Sequence, residues 1–269
     1  QMCIRDRMRK IREPCALLIL LLLICFRPCM PVYGMELPAR EETSGMNPET
    51  EGKDIRVMGS RIPVYETLGE ALIRKLSEDQ GTAEEKNTGI TFDTVEEAVS
   101  FGRYFYRYVY WGKQEIRLAA GRDAEGVTIY AWCDDIQEAV SQHRQVAAKL
   151  EETAAGGFGL SDGEKAAFFY DWVYENVDYD ATMQNKTIYD AVMKGQSVCW
   201  GYVSTYLTLC RMAGLTCEPV YQGNHAWNRV WIDGGWKYCD ITWDKSLGEH
   251  RWKLITEEEM ERDSMHETL

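Results

Sequence analysis

The stretch Gly195-Gln196-Ser197-Val198-Cys199-Trp200-Gly201-Tyr202 opens the most informative part of this chain, which closes with Asp240-Ile241-Thr242-Trp243-Asp244. After Cys199 the apolar positions Val203, Tyr206, Leu207, Leu209, Cys210 and Met212 recur at helical spacing until Gly214 stops the run. The spacing predicts a helix with Cys199 at or near its N-terminus. There, unpaired backbone N–H groups and the helix dipole favour thiolate over thiol, against a pKa of ~8.5 for free cysteine. Thr216 to Tyr221 reads as a strand, Gln222-Gly223-Asn224 as a turn, and His225 to Ile232 as a second strand. Asp233-Gly234 is a hairpin signal, after which Gly235 to Asp244 returns.

Register turns this reading into chemistry. With a two-residue turn at Asp233-Gly234, Ile232 sits opposite Gly235 and His225 faces Thr242, with Asp240 two residues along on the same face. Diagonal neighbours of this kind lie about 7–8 Å apart, within reach of an imidazole–carboxylate hydrogen bond. A thiol, an imidazole and a carboxylate are thus deliverable to one place. In that arrangement His225 takes the proton of Cys199 while Asp240 fixes the tautomer and supports the imidazolium. The product is a nucleophile for acyl carbons, and its thioester is resolved by water or by an amine.

These three segments, Ser197-Val198-Cys199-Trp200-Gly201-Tyr202, His225-Ala226-Trp227-Asn228 and Asp240-Ile241-Thr242-Trp243-Asp244, resemble the motifs of the transglutaminase-like superfamily. Tyr179-Asp180 and Ile188-Tyr189-Asp190-Ala191-Val192 resemble that family's approach to its cysteine, and the likeness covers roughly residues 161–260. It implies an α+β, papain-like core, with the nucleophile at a helix N-terminus packed on an antiparallel sheet. By it Cys199 is the nucleophile, His225 the base and Asp240 the orienting acid, with no cofactor and no metal. Members include peptidases, cross-linking acyltransferases and peptide N-glycanases. The paired Cys-x-x-Cys zinc motifs of many N-glycanases are missing from this sequence. Trp200 and Val203 depart from the expected pattern, and a bulky Trp200 beside the nucleophile narrows the acyl pocket.

Working outward, Ser161-Asp162-Gly163-Glu164 is a capping box that starts a helix toward Asn176, and Ala154 to Gly159 reads as a linker before it. Upstream, helices are expected over Pro63–Gln80, from Thr94 to Tyr110 and from Asp134 to Glu152, with strands at Ile116–Ala119 and Val127–Trp132 and a polar break from Gly81 to Gly89. The expected organisation is a small α/β region over 61–155 and a catalytic domain over 161–269. Residues 35–60, rich in Glu, Pro, Gly and Ser, read as a tether. Residues 1–34 read as a signal peptide, with 1–7 an extension: basic Met8-Arg9-Lys10-Ile11-Arg12 leads into the apolar run Ala16–Phe26, too short for a spanning helix of about 20 residues. An uncleaved short anchor is one alternative, and a lipoprotein at Leu22-Leu23-Ile24-Cys25 is a weaker one, because Ile24 is bulky where a small residue is wanted. The expectation is a secreted or cell-envelope protein whose mature chain has no integral membrane span.

The chain has 269 residues, a formal net charge of −13 and 45% hydrophobic residues, so it can build a core and lacks the basic face that nucleic acid requires. Without residues 1–34, five cysteines remain: Cys133, Cys199, Cys210, Cys217 and Cys239. An odd number leaves a reactive-thiol candidate. Cys210 and Cys239 read as core, and a Cys210–Cys217 disulfide is open. His143, on a predicted exposed helix face, His250 and His266 read as satisfied histidines rather than catalytic ones. Trp227 and Trp236 are candidate groove residues, Asp244 a loop cap or alternative acid, and Asn176 to Asp180 a weak calcium pattern. For the oxyanion the candidates are the Cys199 backbone N–H and the side chains of Gln196 and Trp172. The expected partner is a peptide or protein substrate. The leading expectation is a cysteine-dependent amide hydrolase, with glutamine–amine cross-linking second and a silent peptide-binding module third.

Overall fold

The computed structural model describes residues 64–78, 86–123 and 126–267; the expected signal segment and tether lie outside them. A first helix, α1 (64–78), precedes strand β1 (Lys86–Phe92), helix α2 (Val95–Tyr104), a π-helical turn (Phe105–Val109), and strands β2 (Ile116–Asp123) and β3 (Gly126–Cys133). The three strands form an antiparallel sheet in the order β1-β3-β2. The segment read as a polar break therefore contains part of a strand. Lys86 to Phe92 pairs with β3 and buries Thr88 and Ile90, although its polar alternation carries little apolar signal. Thr94 caps α2 as its spacing from Glu97 predicts.

Helix α3 (Ile136–Ala155) joins two cores. Its first turns place Ile136, Ala139 and Val140 against Phe101, Phe105, Ile116 and Ile129. Its later turns place Val146 and Leu150 in a second cluster with Phe169, Tyr170, Tyr206 and Val230. The turn at 156–160 is thus a break in the helix but not in the packing. Helix α4 (Asp162–Asn176) follows, and its Ser161/Glu164 capping box forms in full.

Strand β4 (Asp178–Tyr179) then pairs in parallel with β5 (Gln196–Ser197), and helix α5 (Ile188–Lys194) lies between them. Helix α6 (Cys199–Met212) is buried continuously from Gly201 to Cys210, as expected of a helix apolar on all sides. Its hydroxyls bond back into the helix: Ser204 to the Trp200 carbonyl, Thr205 to that of Gly201 and Thr208 to that of Ser204, at 2.7–2.8 Å. Four antiparallel strands flank it: β6 (Cys217–Gln222), β7 (His225–Ile232), β8 (Gly235–Cys239) and β9 (Ile255–Thr256), in that order. Helices α7 (Ile241–Leu247), α8 (Glu257–Glu261) and α9 (Ser264–Glu267) complete the description. This is the expected α+β, papain-like arrangement. None of the described helices is long and apolar enough to cross a membrane.

The start of α6 depends on a glycine. A Cβ at Gly201 would lie 2.0 Å from Ser197 Oγ and 2.4 Å from Ser197 Cβ, so the first turn of the helix closes onto β5 only without a side chain there. Gly201→Ala is expected to destabilise the protein by about 1–3 kcal/mol through overpacking and to displace Cys199. Urea unfolding together with the alkylation rate of Cys199 measures both effects, and an unchanged pair of values would contradict this account.

Candidate active site

Cys199 is the first residue of α6 and is half-buried. It is delivered there by a short run of local signals. The Thr187/Asp190 capping box starts α5, and Gly195, with φ 67°, ends it in the left-handed region that favours glycine. Val198 N–H then donates to the Asn185 carbonyl. Val198, at the N-cap position, makes no side-chain capping hydrogen bond.

His225 begins β7. The expected hairpin register is found, with Ile232 opposite Gly235 and Asp233 and Gly234 both at positive φ. The expected route for Asp240 is not. Strand β8 stops at Cys239, opposite Asn228, and the chain turns into α7. His225 pairs with Gln222 of β6 and has no strand partner at Thr242. Asp240 reaches the imidazole as the N-cap of α7: Oδ1 accepts the Trp243 N–H at 3.0 Å, and Oδ2 lies 2.6 Å from His225 Nε2. The sequence Asp240-Ile241-Thr242-Trp243 can satisfy a helix N-terminus as readily as extend a strand, and burial of Ile241 and Thr242 decides for the helix. Asn228 Nδ2 donates to the Val203 carbonyl at 3.2 Å, which ties β7 to α6.

The side chains of His225 and Cys199 line the same cleft. With Nε2 on Asp240, Nδ1 is the ring nitrogen left for sulfur. Burial by itself would lower the basicity of His225; the interactions with Asp240 and Cys199 outweigh it and raise the pKa to about 9. Burial by itself would raise that of Asp240, which is fully buried, and the hydrogen bonds from His225 and His266 hold it below the usual carboxylate range.

His266 is satisfied, as its sequence suggests, but its partner is the carboxylate of the site itself. It is buried, with Nε2 3.0 Å from the same Asp240 Oδ2 and Nδ1 2.6 Å from Asp263 Oδ2. Arg251 Nη2 holds the other oxygen of Asp263 at 2.9 Å. A histidine near the end of a four-residue helix leaves no periodic signature, and the contact is 26 residues from Asp240 in sequence. His225, Asp240 and His266 place three ligand-type atoms within 4.8 Å of one another, and the hydrogen bonds between them account for that cluster without a cation.

Other candidates fall elsewhere. Asp244 accepts the Tyr170 hydroxyl and the backbone N–H groups of Arg251 and Trp252; it anchors the loop after α7 and does not contact His225. Burial pushes its pKa up, opposite to Asp240. Gln196 and Trp172 do not line the cleft at Cys199. Trp227 is buried against His266, and Trp236 packs edge-on to Trp231, so neither is a wall of that cleft. His143 is not on an open face: it stacks on Trp111 and accepts that residue's backbone N–H, and burial lowers its pKa to about 4. Asp180 accepts N–H groups from Thr182, Gln184 and Asn185, which explains the polar run at 176–180 without calcium. Cys133, Cys199, Cys210, Cys217 and Cys239 are all free thiols. Burial pushes the thiols of Cys133, Cys217 and Cys239 upward.

The cleft has a volume of about 470 Å³, within the usual range for ligand pockets. Val198, Cys199, Trp200, His225, Thr242 and Trp243 are among its walls.

Residues 145–241 match the family model of the transglutaminase-like superfamily. The human kyphoscoliosis peptidase is 26% identical over 173 residues, 51% of this chain and 26% of that protein. Its mouse counterpart is 28% identical over 109 residues, 32% of this chain and 16% of that protein. The chain therefore spans about a quarter of the human relative's length. A crystal structure of a TGase aligns with 48% of this chain and 44% of its own, at 19% identity and a TM-score of 0.32. The matched segment runs from the later turns of α3 through α6 and the hairpin to the first residue of α7, and it carries Cys199, His225 and Asp240 together. Over residues 145–241 the chain is thus similar to the transglutaminase-like superfamily.

Proposed function

We propose that the protein is a thiol-dependent hydrolase of peptide or isopeptide amides, with Cys199 as nucleophile, His225 as base and then acid, and Asp240 as the group that orients the imidazole. One observation carries this reading: a half-buried thiol at the start of a helix shares a cleft with an imidazole whose Nε2 lies 2.6 Å from a buried carboxylate. His225 accepts the Cys199 proton as sulfur bonds to the carbonyl carbon. The oxygen of the tetrahedral adduct takes the negative charge, with the backbone N–H of Cys199 as a donor. The imidazolium then passes its proton to the departing amine as the C–N bond breaks, leaving a thioester. Water attacks that thioester and gives a proton to His225; the adduct then releases the carboxylic acid as the C–S bond breaks, and His225 returns that proton to the Cys199 sulfur. The peptidase relatives support water as the resolving nucleophile. We place this activity outside the cytoplasm, supported by the basic and apolar segments before residue 34.

Iodoacetamide at neutral pH is expected to label Cys199 roughly 100-fold faster than Cys133, Cys210, Cys217 or Cys239, and His225→Ala should slow it by about 10²-fold or more. Equal rates at the five thiols, read by peptide mapping, would leave only a peptide-binding module. Peptide substrates incubated with and without a primary amine then separate the outcomes by mass. A product gaining the amine in place of water would make the enzyme a transferase.

Because the folded pKa of His225 lies above its unfolded value, its contacts contribute stability that is complete below about pH 6.5 and is lost as pH rises through about 9. The cost of His225→Ala in urea unfolding should therefore shrink between those limits. A cost that grows with pH would contradict the assigned contacts.

A further inference from the structure

A second cavity, of about 280 Å³, lies where the N-terminal sheet unit meets the catalytic core. It shares two walls, Trp200 and Lys186, with the cleft at Cys199. Aromatic side chains from both units line it, Tyr106, Tyr110 and Trp111 on one side and Trp200 on the other. The seam is firmly made: Lys113 Nζ bonds Asp190 at 2.8 Å, Arg211 Nη2 bonds the Tyr104 hydroxyl at 2.6 Å, and Tyr108 and Trp111 pack on the second core. Trp200, bulky beside the nucleophile, is held in place by Tyr221, stacked at 6.0 Å, and by the Arg107 guanidinium, 5.7 Å from its ring. Arg107 sits on the π-helical turn, a distortion often found at functional sites.

The charges at this seam are unbalanced. The two carboxylates among the cavity walls are engaged, Asp190 by Lys113 and Lys194 at 2.8 Å and Glu115 by Arg117 at 3.7 Å. Arg107 and Lys186 are half-buried, line the cavity, and have no carboxylate partner among the described residues. In a chain of net charge −13, two partly desolvated cations left without carboxylates mark a site for one. We propose that the N-terminal unit supplies a substrate subsite: the peptide crosses Trp200 from the Cys199 cleft into the seam cavity, where Lys186 and Arg107 bind an acidic side chain. This rests on the thiol-nucleophile reading above and adds the substrate class.

The test uses iodoacetyl-capped tetrapeptides of glycine, carrying one Glu walked through the four positions, with Gln controls, against the full chain. At one position the Glu peptide should alkylate Cys199 about 10-fold more efficiently than its Gln control through tighter binding, and Lys186→Gln should abolish that preference. Arg107→Gln should weaken it as well. Each peptide rate is divided by the same variant's rate with free iodoacetamide, which removes any change in the reactivity of Cys199 itself. If iodoacetamide selects Cys199 but no position prefers Glu, the subsite is wrong and the nucleophile stands. If iodoacetamide does not select Cys199, the nucleophile reading fails first.

The second inference rests on a separate observation. Oδ2 of Asp240 faces two imidazoles, and His266 is itself clamped by Asp263. The geometry points to His266 as a positioning residue that acts on His225 through Asp240. Trp227, Trp243 and Trp252 pack against its ring, and it is not a wall of the cleft at Cys199. His266→Phe should slow Cys199 alkylation at neutral pH about 10-fold and move the pH midpoint of that reaction by half a unit or more, while His266→Gln, which retains a donor, recovers part of both. A structural role alone would lower the unfolding midpoint and leave the pH profile in place. An unmoved profile in a folded variant would overturn the assignment.

Discussion

A fully buried carboxylate sits at the centre of this protein, and burying such a charge is costly unless hydrogen-bond donors converge on it. Asp240 meets that requirement with three donor positions from three places in the chain. The first turn of α7 donates through Trp243 N–H, the start of β7 contributes His225, and the last described helix contributes His266. The same contacts that offset the desolvation of Asp240 also align the imidazole with Cys199. Stability and chemistry therefore cannot be separated at this position, since loss of either imidazole leaves a buried charge short of a partner.

Asp244, one turn further along α7, shows how strongly the surroundings determine what a carboxylate does. It too is buried, but its donors are a tyrosine hydroxyl and two backbone N–H groups, with no imidazole. Its pKa moves up where that of Asp240 moves down. Two acids of one short helix thus differ in role: one holds a loop, the other an imidazole. Environments that push pKa values apart are the usual means of separating such roles.

The N-terminal unit is attached through shared packing rather than as a loose appendage. Helix α3 inserts its two halves into two cores, and aromatic and ionic contacts close the seam beside Trp200. That places residues of the π-helical turn next to Trp200, the neighbour of Cys199. It gives a physical reason for the bulky side chain at 200: the indole is a wall common to two cavities, held by Tyr221 and Arg107.

Much of this was legible in the sequence because it depends on local rules. The Ser161 capping box, the Asp233-Gly234 turn with its register, and the helix opening at Cys199 all follow from residues a few positions apart. Where partners are distant the sequence was silent or misleading. β1 is polar and owes its existence to pairing with β3; Asp240 was read into a strand when it caps a helix; and His266 has no pattern to reveal it. By itself, then, the sequence determined which residue types could form a thiol–imidazole–carboxylate set and the local turns that carry them. Only the tertiary structure decided how the carboxylate arrives, that a second imidazole shares it, and that two cations at the seam have no carboxylate partner among the described residues. Those outcomes depend on desolvation and packing between segments that are far apart along the chain.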